Sequence, residues 1–104
     1  MGKGKGMIVE VTPFVVDCSD KEQACKLLEE AAEAFGAWQT HQECIYVDAH
    51  TDANGLAVTL SKLDLADEIA DVIQVACNLA YRNGIDVAEA MKRCTERQRA
   101  RGRL

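Results

Sequence analysis

The chain has 104 residues, 48% of them hydrophobic, and a formal net charge of −5, which suits one domain with a small core and argues against a nucleic-acid groove while leaving free nucleotides carrying Mg²⁺ compatible. The five cysteines are an odd number with no CxxC pair, so neither a disulfide framework nor a zinc ribbon is expected. No stretch has a signal-peptide profile, and no apolar run approaches the roughly 20 residues needed to span a bilayer, so the expected compartment is the cytoplasm and no membrane partner is expected.

Residues 1–6 read MGKGKG, a Gly/Lys leader expected to be flexible. They do not match the GxxxxGK[ST] pattern that a phosphate cradle needs between a strand and a helix, so none is expected there. Residues 7–16 are rich in Val and Ile and interrupted by Pro13, the pattern of a short edge strand or extended arm. Ser19-Asp20-Lys21-Glu22 has the capping-box arrangement and predicts a helix over 20–40. Ala24, Leu27, Leu28, Ala31, Ala34, Phe35 and Trp38 gather on one arc of that helix, which is expected to face the core or a subunit contact.

Residues 43–60 have strand character, with Glu43-Cys44-Ile45-Tyr46-Val47 and Leu56-Ala57-Val58-Thr59-Leu60 flanking the turn signal Asp52-Ala53-Asn54-Gly55, so a β-hairpin insert or long flap is expected. His41, Cys44 and His50 in this region match no zinc spacing and are expected to be exposed or packed. A second helix is predicted over 61–83, capped by Ser61 and stopped by Gly84. A third is predicted over 86–99, opened by Asp86-Val87-Ala88-Glu89, and residues 100–104 form a basic tail. Cys25, Cys77 and Cys94 fall inside these helices, where a thiol ordinarily packs as a small hydrophobe.

Two acidic signatures stand out: Glu29-Glu30-Ala31-Ala32-Glu33 on the first helix and Glu68-Ile69-Ala70-Asp71 on the second. Residues three apart lie about one turn from each other on a helix, so each pair can reach a common cation. Glu30 and Glu68 each border an apolar face, and antiparallel packing through those faces brings the pairs together. Clustered carboxylates repel unless neutralised, and oxygen cages suit Mg²⁺, with Mn²⁺ as the second choice.

The arrangement Glu29-Glu30-x-x-Glu33 followed by Glu68-x-x-Asp71 resembles the EExxE and ExxD signature of the MazG-like all-α nucleotide pyrophosphohydrolases. The similarity extends over about residues 26–103, including Asn78-Leu79-Ala80, Gly84-Ile85-Asp86 and the segment from Glu96 to Gly102. It implies a hydrolase that cleaves a nucleoside triphosphate between the α and β phosphates, giving a nucleoside monophosphate and pyrophosphate, with Mg²⁺ as cofactor. By motif position Glu30, Glu33, Glu68 and Asp71 are the expected metal ligands, and Glu29 and Glu33 the expected catalytic carboxylates, Glu29 orienting the attacking water.

Phosphoryl transfer relies on positioning and charge stabilisation, so cationic and polar neighbours are expected as substrate contacts. Lys26, Asn78, Lys92 and Arg97 are the candidates. The 34 residues between Glu33 and Glu68 exceed a simple helix-loop-helix connection, which leaves substrate choice open, including a phosphoribosyl-ATP-like substrate. The overall expectation is a single MazG-like domain, an all-α bundle with a short β element, completed as a homodimer or homotetramer. The competing expectation is a helical interaction or nucleotide-binding module without catalysis.

Overall fold

The computed structural model describes residues 6–104, so all but the last residue of the Gly/Lys leader lies outside it. Among the described residues the protein is all helical, with α1 at Asp20–Ala49, α2 at Leu56–Arg82 and α3 at Val87–Ala100. The α1 start is set as the sequence predicts, by the Ser19 hydroxyl accepting from the Glu22 N–H at 3.1 Å, which satisfies one of the otherwise unpaired first-turn donors.

The expected hairpin over 43–60 is replaced by helix. Glu43–Val47 continues α1 and Leu56–Leu60 opens α2. The penalty for Ile, Tyr and Val in a helix is only tenths of a kcal/mol per residue. Between Gly36 and the turn no Gly or Pro interrupts the chain, so adding hydrogen-bonded turns to an existing helix outweighs that penalty. The turn signal is real but joins two helices. Gly55 adopts φ 80°, donates to Asp48 Oδ1 at 2.9 Å, and is followed by Leu56, whose N–H donates to Asn54 Oδ1 at 3.1 Å. Ser61 is therefore not a cap but a buried residue inside α2, donating to the Val58 carbonyl at 3.1 Å.

Gly84, at φ 65°, ends α2 as expected. The Gly84 N–H donates to the Tyr81 carbonyl at 3.2 Å and the Ile85 N–H to the Ala80 carbonyl at 2.9 Å, the paired closure that a left-handed glycine permits. Asp86 then caps α3 through the Glu89 N–H at 3.2 Å. The basic tail begins as the C-terminal closure of α3.

α1 and α2 pack along their length as an antiparallel hairpin, while α3 extends away with little contact to either. The expected strand at 7–16 is extended but has no sheet partner among the described residues. Side chains of α2 at four-residue spacing hold its backbone instead. Gln74 Nε2 donates to the Thr12 carbonyl at 3.1 Å, Asn78 Oδ1 accepts the Phe14 N–H at 3.0 Å, and Arg82 donates to the Val16 and Cys18 carbonyls.

The expected apolar arc of α1 does not form an internal core. Leu28, Phe35 and Trp38 are 74%, 58% and 46% exposed, because one neighbouring helix covers only a narrow stripe of an α1 arc that is wider than that. Cys25 is likewise exposed, whereas Cys77 and Cys94 are half-buried. The accessible surface is 8172 Å², against about 5,800 Å² for a compact monomer of this mass. The radius of gyration is 17.2 Å, against about 13 Å.

The α2 clasp makes the arm's attachment depend on Asn78. Asn78→Ala removes the acceptor of the Phe14 N–H, and limited proteolysis should then cut within residues 7–18 at least several-fold faster than in the parent protein, with the helical circular dichroism signal retained.

Candidate metal centre

The antiparallel register brings the two acidic signatures together midway along the hairpin. Glu30, Glu68 and Asp71 each offer a carboxylate oxygen, and these oxygens lie within 4.8 Å of one another. Ligands on opposite sides of a Mg²⁺ at 2.0–2.1 Å sit about 4.2 Å apart, so small side-chain adjustments would let all three contact one cation. On two of these residues one carboxylate oxygen, Glu30 Oε2 and Glu68 Oε2, is buried without any hydrogen-bond partner. Such an atom is costly unless something positive meets it.

The electrostatics follow from this crowding. Burial raises the Glu30 carboxyl above its ordinary value of 4.5, and Glu33, by charge and by hydrogen bond, then Asp71 and Glu68, raise it further. Burial likewise raises Glu68, followed by the charges of Glu33 and Asp71, the hydrogen bond to Glu33, and Asp64. Glu33 is exposed and lines a groove with Glu68, outside the convergent trio. A protonated member of such a cluster is the response available in the absence of a cation.

Two grooves flank the carboxylates. One, of about 400 Å³, carries Glu33, Asp64, Asp67 and Glu68 with Thr40 and Ser61 and no basic side chain in its lining. The other, of about 290 Å³, runs under the N-terminal arm from Glu30 and Asp71, past Lys26, to Gln23 and Asn78. His41 belongs to the first side, its Nδ1 2.8 Å from Ser61 Oγ. Since the Ser61 hydroxyl proton goes to the Val58 carbonyl, the histidine donates, which makes it a packing residue as the sequence suggested.

The remaining candidates divide clearly. Lys26 lines the arm groove together with Glu30 and Asp71. Asn78 lines the same groove but is 2% exposed and spends its carbonyl oxygen on Phe14 and Gln74. Glu29 lies apart from the cluster, in a separate shallow groove with Lys21, Glu22 and Lys26. Lys92 pairs with Glu89 at 2.9 Å on the outlying α3, and neither it nor Arg97 lines either groove beside the carboxylates. Sequence reasoning missed Gln23 and Asp64. Both were signalled by phase, Gln23 two helical turns before Glu30 and Asp64 one turn before Glu68. Compared with known proteins, the chain matches no family model, no curated protein and no solved structure.

The raised carboxyls carry a pH dependence. Both hold protons to higher pH in the folded chain than in the unfolded chain, so the folded state binds more protons above pH 4.5 and stability falls as pH rises through the raised values. Glu68→Gln should flatten that fall and melt a few degrees above the parent at neutral pH without divalent cations. Parallel melting curves across the pH range would refute the electrostatic account.

Proposed function

We propose that this protein is a divalent-cation-dependent nucleoside triphosphate pyrophosphohydrolase that releases a nucleoside monophosphate and pyrophosphate. The observation that carries the reading is the convergence of Glu30, Glu68 and Asp71 within 4.8 Å with two buried carboxylate oxygens left unpartnered. An acceptor-only donor set of this kind fits Mg²⁺ better than softer metals. The EExxE and ExxD resemblance points to the same chemistry.

In this reading Glu30, Glu68 and Asp71 hold the cation. When bound, Mg²⁺ supplies charge neutralisation on the phosphate oxygens and acidifies water. Glu33, which lines the acidic groove with Glu68, takes the proton of the attacking water in this reading; its place in that groove supports the role better than the position of Glu29, which lines neither groove beside the carboxylates. Lys26, which lines the same groove as Glu30 and Asp71, contributes positive charge towards the phosphates. The five free thiols suit a reducing, cytoplasmic setting, where such an enzyme would clear unwanted nucleotides. No helix among the described residues is long and apolar enough to cross a membrane.

The working unit in this reading is a homodimer or a pair of dimers. Surface in excess of a compact monomer by roughly 2,400 Å² per chain matches what obligate interfaces bury, and it includes Leu28, Phe35 and Trp38 on α1 and Ile69 and Ile73 on α2. Sedimentation velocity at micromolar concentration should give a dimer or tetramer, and Leu28→Glu should shift it towards monomer; a parent protein that sediments as a monomer refutes this part.

The catalytic reading is tested by incubating the protein with canonical and modified nucleoside triphosphates and Mg²⁺ while measuring pyrophosphate. Glu33→Gln and Asp71→Asn should each lower turnover about 100-fold or more with the fold retained. No release from any nucleotide, and no Mg²⁺-dependent thermal shift, would favour a helical interaction module whose exposed apolar surface is its working part.

A further inference from the structure

The groove beneath the N-terminal arm contains a polar group that the proposed chemistry does not use. Gln23 is 1% exposed, and its Nε2 is buried with no hydrogen-bond partner. Leaving an amide donor unpaired costs roughly 1–3 kcal/mol, so the residue is anomalous as a packing element. The amide's orientation follows from its neighbours. Cys18 Sγ accepts from Arg82 Nη1 at 3.6 Å, so the thiol proton is left to donate to Gln23 Oε1 at 3.9 Å. The Oε1 side is thereby engaged, and the two N–H bonds have no partner within the protein, on a residue that lines the groove.

The surroundings specify what meets them. Phe14 and Val16 of the arm and Val75 of α2 supply apolar walls, a setting for a flat ring. Gln74 cannot satisfy the same ligand edge with its amide nitrogen, since it already donates to Thr12 and Asn78. Glu30 and Asp71 close the opposite end of this groove, and Gln23 precedes Glu30 by two helical turns, about 10 Å along the axis, the span of a sugar and one ring. The other groove carries four carboxylates and no basic group in its lining, a poor host for an uncharged nucleoside but a suitable one for cations.

We infer that the arm groove is the nucleoside pocket and that Gln23 donates to a carbonyl oxygen of the base, selecting keto bases (uracil, thymine, hypoxanthine, guanine) over those presenting an amino group at that edge. This rests on the proposed pyrophosphohydrolase reading for the position of the phosphates. An amino group would set donor against donor and leave the amide unpaired, the situation in which polar sites discriminate most strongly.

The test compares matched pairs differing at the keto or amino position, dITP with dATP and dUTP with dCTP, by kcat/KM for pyrophosphate release with Mg²⁺. The keto member should be preferred by about tenfold or more, and Gln23→Leu should bring the ratio near one. In parallel, the Gln23 side-chain amide signals of the unmodified ¹⁵N-labelled protein, assigned through bonds, are followed during titration with non-hydrolysable α,β-imido analogues of the same pairs. They should move with the keto analogues and stay with the amino ones, a readout that survives if the Gln23→Leu chain does not fold. Hydrolysis without keto preference and with a motionless Gln23 signal overturns the inference and leaves the enzyme reading intact. Selective movement of the signal without pyrophosphate release from any nucleotide supports the pocket and overturns the enzyme. Absence of both responses overturns both.

Discussion

The antiparallel register of α1 against α2 is the constraint on which the rest of this molecule depends. It is set at the turn, where Asp48 accepts the Gly55 N–H, and held along the pair by His41 on Ser61. Carried down the hairpin, the same register places Glu30 against Glu68 and Asp71 and sets Gln23 and Asn78 on one groove. A shift of one helical turn, about 5.4 Å, would exceed the separation of the carboxylate oxygens and dissolve the cluster. The site is therefore a property of the pairing and not of either helix.

That pairing sets repulsion against a thin core. Among the described residues Ala80 alone is a buried hydrophobe, while Gln23, Ser61 and Asn78 are buried polar groups. Two of those polar residues are bonded across elements, Ser61 to His41 on α1 and Asn78 to the arm, so directional bonds share the work that apolar packing does elsewhere. Raised carboxyls at Glu30 and Glu68 mark where the fold tolerates unfavourable electrostatics. Large apolar side chains on both helices, Leu28, Phe35 and Trp38 on α1 and Ile69 and Ile73 on α2, stay exposed and add little to the core of the single chain.

The N-terminal arm links the fold to the site. Gln74, Asn78 and Arg82 recur every four residues on α2 and satisfy the arm's backbone as a sheet partner would, with side-chain amides and a guanidinium replacing a strand. Because the arm contributes Phe14 and Val16 to the groove beside the carboxylates, its attachment and the shape of that groove are one structural problem.

Local signals in the sequence determined the helix starts at Ser19 and Asp86, the stop at Gly84, the turn at Asp52-Ala53-Asn54-Gly55 and the phase of both acidic pairs. Each depends on residues within a turn or two of one another, where capping, left-handed glycine and helical periodicity act. Only the tertiary structure decided that the strand-like stretches around Ile45 and Val58 are helix, since the continuing helices and the packing between them outweigh a weak β preference. It alone separated Glu29 from the carboxylates that converge, bonded Asn78 to the arm, and left the Gln23 amide nitrogen unpartnered on a residue lining a groove. These depend on which residues of distant segments meet, and that is set by helix register, which no local pattern encodes.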